Sequence, residues 1–170
     1  MDEIKSLWAP WRMVYIQGPS PQECIFCKAS KEDRDQENLV LYRSRTIFVM
    51  MNRFPYAYGH LLVCPVQHVR DLGGLPDHAL GELMQVTRDA IHILQRSLNP
   101  DGFNMGINLG GVAGAGYVEH LHMHIVPRWH GDHNFMPIIG ETRVISEHLA
   151  HTYGRLREGF DLLASDSPGS

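Results

Sequence analysis

Two spacings of apolar residues run through the chain, one alternating with polar positions and one recurring every third or fourth residue, and together they divide it into elements. Leu39–Arg43, Thr46–Asn52 and His60–Val66 are rich in Val, Ile, Phe and Tyr and read as strands. The second and third are joined by Arg53-Phe-Pro-Tyr-Ala-Tyr-Gly59, where Pro and Gly mark a turn, so an antiparallel meander is predicted. From Pro76 to Leu98 the residues Leu80, Leu83, Thr87, Ala90, Ile91, Leu94 and Leu98 recur at helical spacing, with Asp77 as N-cap and Asn99-Pro100 as the stop. One long amphipathic helix follows the meander. Gly102–Leu109 and Glu119–Val126 read as two further strands, joined by the glycine-rich loop Gly110-Gly-Val-Ala-Gly-Ala-Gly116.

With no internal repeat and no second boundary, residues 1–170 are expected to form a single α+β domain. It divides into an aromatic arm over 1–20 (Trp8, Pro10, Trp11, Tyr15), a core over 21–128, a further segment over 129–163 and a tail expected to fray from residue 164. Hydrophobic residues make up 44% and charged residues 20%, so the chain can bury a core without staples. Met-Asp-Glu-Ile-Lys-Ser-Leu-Trp8 lacks the apolar stretch of a signal peptide and no later run would span a bilayer, which predicts a cytoplasmic protein with no membrane partner. A net charge of −4 without a basic cluster argues against polymeric nucleic acid, while leaving room for a small anion held by local dipoles. Three cysteines, an odd number, argue against a disulfide framework.

Histidine changes the picture. There are eleven, and in His120-Leu-His-Met-His-Ile-Val126 they alternate with apolar residues, which on a strand sends His120, His122 and His124 to one face, about 7 Å apart along the chain. A single half-buried histidine is commonplace; strict alternation of three points to a site. Two readings fit, a metal held by His-x-His and a third histidine, or nucleophilic imidazole chemistry. The glycine loop ends four residues before His120, lacks the Lys-Ser/Thr of a phosphate-binding P-loop and precedes a strand, so it reads as a nest of backbone N–H groups for an anion, or as a flexible hairpin loop. Cys24-Ile-Phe-Cys27 alone leaves chance, a redox pair and half a zinc site as comparable readings; a redox role needs a helix starting near the first cysteine, which the surrounding sequence does not suggest.

At these residues the sequence resembles the histidine-triad (HIT) family. His120-Leu-His-Met-His-Ile-Val126 is similar to its signature, and Asn52-Arg-Phe-Pro-Tyr-Ala-Tyr-Gly-His-Leu-Leu-Val-Cys-Pro65 to its nucleotide-binding meander; the likeness runs from about Cys24 to Arg128. Pro127-Arg-Trp-His-Gly-Asp-His-Asn-Phe-Met136 and Leu7-Trp-Ala-Pro-Trp-Arg-Met13 look like the bacterial branch that includes diadenosine tetraphosphate phosphorylases.

The resemblance implies a HIT-like fold whose two protomers join into a continuous sheet of roughly ten strands; the arm, too aromatic to be left in water, is expected to pack on its own domain or reach the partner. It implies catalytic roles for His122 as nucleophile, with His124 on the phosphate and His120 beside it. It also implies contacts to the base from Phe48, Met50 and Leu62, to the ribose from Asn52, and to the phosphates from Asn108 and the backbone of Gly114, Ala115 and Gly116. One structural zinc is implied at Cys24, Cys27, His68 and His120, a closed tetrahedral set.

The implied reaction cleaves a dinucleoside polyphosphate at the α-phosphate through a nucleotidyl-His122 intermediate, with phosphate as acceptor. Hydrolysis by water, phosphoramidate hydrolysis and an inactive nucleotide-binding module are the alternatives. An imidazole near its ordinary pKa is largely neutral at pH 7 and attacks phosphorus without prior deprotonation. Where many members carry Gln-Ser/Thr, this chain has Gly116-Tyr117, which removes a side-chain contact to the leaving group. Cys64 reads as a core residue and His60 as a hydrogen-bonding residue behind the site, whereas His130, His133, His148 and His151 read as surface residues.

Overall fold

The runs of branched and aromatic residues form a meander of three strands, β1 (Val40–Arg43), β2 (Ile47–Met51) and β3 (Leu61–Pro65), which β4 (Gly102–Ile107) and β5 (Met123–Arg128) complete as a five-stranded sheet in the order β1-β2-β3-β5-β4. All four pairings are antiparallel. The computed structural model describes residues 23–132 and 147–166; the expected arm, His133 and the last four residues lie outside them.

Helices cover both faces unequally. Helix α3 (Asp77–Leu98) and helix α4 (Leu149–Asp166) pack on one face, while the short helices α1 (Ile25–Lys31) and α2 (Asp35–Asn38) precede β1. In α3 the expected Leu83, Thr87, Ala90 and Leu94 are buried, but Val86 and Ile93 complete the stripe, and Leu80, Ile91 and Leu98 flank it half-buried. The N-cap is Pro76, not Asp77; Asp77 is the first helical residue, where its carboxylate faces the positive end of the helix dipole. Asn99 ends the helix in the left-handed conformation, its N–H bonded to the carbonyl of Gln95.

Helix α4 adds a second long helix to the one expected, and it runs to Asp166. Its Tyr153, Leu156 and Phe160 recur at helical spacing and are buried against the sheet and α3, and the Tyr153 hydroxyl donates to the carbonyl of Val40 in β1. Strand boundaries also differ. β4 stops at Ile107, and β5 begins only at Met123 and extends to Arg128, so His120 and His122 lie on the extended approach to the strand rather than in its ladder. That approach is held from the other side, where Leu121 N–H donates to the carbonyl of Val69 at 2.6 Å.

Registers place Met50 opposite Leu62, Leu62 opposite His124 and His124 opposite Gly106, so one row across four strands shares the face away from α3 and α4. The loop from Asn52 to His60 closes beside this row. It is fastened at Gly59, whose φ of +73° favours glycine and whose missing Cβ would lie 2.4 Å from Leu98 Cδ1 and 3.4 Å from Pro127 Cγ. At the far edge β4 is exposed over Asn104, Met105 and Gly106.

Candidate active site and metal cluster

Each of the three alternating histidines is anchored through one ring nitrogen to a different partner, and the partner decides what the other nitrogen can do. His120 Nε2 lies 2.9 Å from the carbonyl oxygen of Pro65, which can only accept; the ring therefore carries its proton there and leaves a lone pair on Nδ1. His122 Nδ1 donates to the carbonyl of His120 at 2.8 Å, leaving its lone pair on Nε2. His124 Nδ1 faces His60 Nε2 at 2.9 Å. The rings of His122 and His124 are 5.0 Å apart at 69°, closer than the strand spacing of their backbones.

Burial keeps the His120 and His122 rings neutral. It pushes the His120 imidazole down to about 4 against the bond to Pro65, with His68 and His122 lowering it further. Burial also lowers His122, partly offset by its bond to the His120 carbonyl. A neutral His122 is a ready nucleophile at pH 7.

The lone pair on His120 Nδ1 faces Cys24 Sγ at 3.4 Å, Cys27 Sγ at 3.6 Å and His68 Nδ1 at 3.3 Å, and Cys27 Sγ is 3.1 Å from His68 Nδ1. A tetrahedral ion bound at about 2.3 Å by sulfur and about 2.0 Å by nitrogen needs donor edges of roughly 3.3–3.8 Å; these four separations lie close to that range, and all four donor atoms lie within 4.8 Å of one another. The Pro65 carbonyl supplies the outer hydrogen bond that orients a ligating imidazole. The expected quartet Cys24, Cys27, His68 and His120 is therefore brought together. Contrary to the sequence reading, a helix does start at the cysteine pair: Cys24 is the N-cap of α1. Two histidines at bonding distance from those sulfurs favour a metal over a redox pair. Cys64 is fully buried in β3, where burial pushes its thiol well up.

Between the two cysteines sits an aromatic residue that the sequence reading assigned no role. Phe26 is buried, stacks on His122 with ring centroids 4.9 Å apart at 24°, and meets the edge of Tyr117. It belongs to a small apolar cluster with Ala29, Val40, Phe48, Leu62 and Cys64, flanked by Met50. Of the three residues expected at a base, Phe48 is completely buried and forms the floor, Leu62 is almost so, and Met50 is half-buried at the rim.

Asn52 is committed to its own loop, with Oδ1 accepting from the N–H of Phe54 at 2.9 Å and Nδ2 3.4 Å from His60 Nδ1. Asn108 Nδ2 donates to the carbonyl of Gly114, and the N–H groups of Gly114 and Ala115 bond to the carbonyls of Gly111 and Gly110. The glycine loop is thus a folded turn, with Gly110 and Gly114 at φ of +84° and +87°. His60 is buried behind the site as expected; Tyr56, which lies over it, went unread. His130 is exposed and pairs with Asp101, and His148 and His151 are exposed.

Paired buried imidazoles beside a small apolar cluster and a glycine turn define a class. The HIT domain model matches residues 33–131, and the chain belongs to the HIT family. It is 39% identical over 159 residues to a Mycobacterium tuberculosis protein named AP-4-A phosphorylase, covering 89% of this chain and 82% of that one. It is 27% identical over 113 residues to an adenosine 5'-monophosphoramidase of Candida albicans, covering 64% of this chain and 72% of the relative. A zinc-bound histidine triad family protein of Mycobacterium smegmatis superposes with a TM-score of 0.68 at 26% identity, over 87% of this chain and all of the other. The protein is an enzyme of the nucleotide hydrolase or transferase type. Among the described residues no helix is long and apolar enough to cross a membrane.

Proposed function

We propose that this enzyme moves a nucleotidyl group from a dinucleoside polyphosphate such as diadenosine tetraphosphate to inorganic phosphate, by way of a nucleotide bound covalently to His122. The observation that carries the reading is the bond from His122 Nδ1–H to the His120 carbonyl, which turns a neutral Nε2 lone pair outward beside His124. In the first step that lone pair bonds to the α-phosphorus and the polyphosphate leaves; in the second an acceptor oxygen displaces the imidazole. The name of the 39% identical M. tuberculosis relative supports phosphate as that acceptor.

In this reading Met50 and Leu62 offer their surface to the base over Phe48, and Asn52 serves the ribose. Asn108 and the backbone of Gly114, Ala115 and Gly116 serve the phosphates, and His124 donates to the phosphate oxygens. Zinc is the ion proposed for Cys24, Cys27, His68 and His120, because two thiolates and two imidazoles fill its tetrahedron and leave no open position for catalysis. Its task is to fasten α1 to the triad segment. The exposed β4 edge is proposed to pair with the same edge of a second copy, giving a homodimer with a continuous sheet, in a cytoplasmic enzyme made of one HIT domain.

The test is His122→Ala in the full chain. Turnover of diadenosine tetraphosphate should fall by roughly 10⁴-fold or more while the melting temperature holds. Wild type quenched during turnover should carry one AMP on His122 by peptide mass. Near-normal turnover by the variant refutes the mechanism; AMP without ADP at millimolar phosphate refutes only the acceptor.

A further inference from the structure

The nucleophilic ring changes charge when it reacts. Neutral His122 carries its proton on Nδ1, bonded to the His120 carbonyl at 2.8 Å. Once Nε2 bonds to phosphorus that proton has nowhere to go, since a backbone carbonyl accepts a hydrogen bond and does not take the proton itself. The ring is then an imidazolium for the life of the intermediate. His122 is buried, at 6% exposure, and a cation withdrawn from water is costly unless its surroundings answer it. The His120 carbonyl answers along one edge. Among the described residues no carboxylate pairs with the ring.

What covers its face is Phe26. The two rings are 4.9 Å apart between centroids and 24° from parallel. That lies within the roughly 6 Å over which a cation is drawn to the negative face of an aromatic ring. Phe26 is itself 2% exposed, so the contact is shielded from water. It is also fixed. Tyr117 braces the ring at 5.7 Å and 79°, His120 at 5.1 Å and 36°, and the Tyr117 hydroxyl bonds to Cys24. The backbone beneath it is α1, met at one end by His68 and His120 through the two cysteines. At the other end the Arg43 guanidinium donates to the carbonyls of Ala29, Ser30 and Glu32.

We propose that Phe26 is a catalytic residue whose ring face stabilises the positive charge that His122 acquires as the nucleotidyl intermediate forms. The proposal rests on His122 being the nucleophile. In the first step the Nε2 lone pair forms the N–P bond, the P–O bond to the bridging oxygen breaks, and its electron pair leaves on the polyphosphate. The imidazole is left with a positive charge and with Nδ1–H intact. In the second step an acceptor oxygen bonds to phosphorus, the N–P pair returns to Nε2 and the ring is neutral again. A neutral imidazole gains little from the aromatic face and an imidazolium gains much, so the contact strengthens on the way to the intermediate. An interaction of that kind lowers the barrier and leaves nucleotide affinity almost untouched.

The test keeps the ring and changes only its face. Replacing Phe26 in the full chain by mono-, di- and trifluorinated phenylalanine nearly preserves its shape while drawing electron density off the face in steps. The single-turnover rate of AMP transfer from diadenosine tetraphosphate to His122 should fall stepwise, to roughly tenfold below wild type with three fluorines, the order expected of a desolvated cation–π contact. The share of enzyme carrying AMP when quenched during turnover should fall in the same order, while the Kd for AMP stays within about twofold. Phe26→Leu, with no aromatic face, should show the largest loss of rate at a similar Kd. A rate that stays flat across the fluorinated series overturns the inference, as does a Phe26→Leu loss that lies in Kd alone. Should the leucine variant fail to fold, the fluorinated series decides by itself. Absence of AMP on His122 in wild type sinks the underlying mechanism instead, whereas AMP on His122 with a flat series sinks only the role of Phe26.

Discussion

The two faces of the sheet are held in different ways. Under α3 and α4 the contacts are aliphatic and aromatic and broadly distributed: Leu83, Ile93, Leu94, Leu156 and Phe160 meet Val49, Val63 and Ile125. On the other face the apolar cluster is small, and discrete polar ties do much of the holding: the cluster of Cys24, Cys27, His68 and His120, the Pro65 and His120 carbonyls, and Arg43. The Arg43 guanidinium donates to the carbonyls of Ala29, Ser30 and Glu32 and pairs with Asp35, fastening the end of α1 to β1. Area makes the first face tolerant of local loss, because stability is shared among many contacts. A face held at a few points is accurate but brittle.

Substitutions can break this contrast. The largest effect is expected from Cys27→Ala: ion binding in small metal modules contributes on the order of 10 kcal/mol, so the variant should lose its metal by elemental analysis and a large part of its stability and kcat together. Phe160→Ala opens a cavity on the broad face and should cost about 3–5 kcal/mol in denaturant unfolding, while the folded fraction keeps wild-type kcat and KM. Activity lost in proportion to stability at both sites would erase the distinction.

Acid should act mainly on the polar face. His120 titrates near 6.5 unfolded and about 4 folded, so below 6.5 the unfolded chain binds the extra proton first. Its contribution, about 3 kcal/mol, is complete above pH 6.5 and lost as pH falls toward 4. Melting temperatures should drop over that window in metal-free protein, with the same sign when loaded because protons compete for Nδ1. A His120→Asn variant should show a flatter profile. The smallest effect is expected from Arg43→Met, about 2 kcal/mol, read as chemical-shift changes concentrated in α1 and as weaker metal retention.

Much of this organisation was legible in the sequence. The meander, α3 and the alternation of His120, His122 and His124 follow from simple periods, and the metal quartet followed from resemblance. Helix α4 was missed although Tyr153, Leu156 and Phe160 recur at helical spacing, because the segment after Arg128 was read for its branch-specific motif and not for its period. α1 was missed because seven residues around a cysteine pair give too short a pattern. What no pattern could supply is the protonation of each imidazole. His120, His122 and His124 are the same residue at the same spacing, yet a carbonyl at Pro65, a carbonyl at His120 and the ring of His60 give them three different partners. Backbone groups leave no trace in side-chain identity.

Gly59 gives the site a mechanical property. With no Cβ to hold the chains apart, the loop carrying Asn52, Tyr56 and His60 rests directly on Leu98 and Pro127, so its stiffness is borrowed from the end of a 22-residue helix and the C-terminal end of β5. A segment of this kind has little freedom to fluctuate unless the helix end moves with it. The Tyr56 amide, though its residue reaches solvent, should then exchange with deuterium nearly as slowly as amides of the central strands, as one cooperative unit with the C-terminal turn of α3.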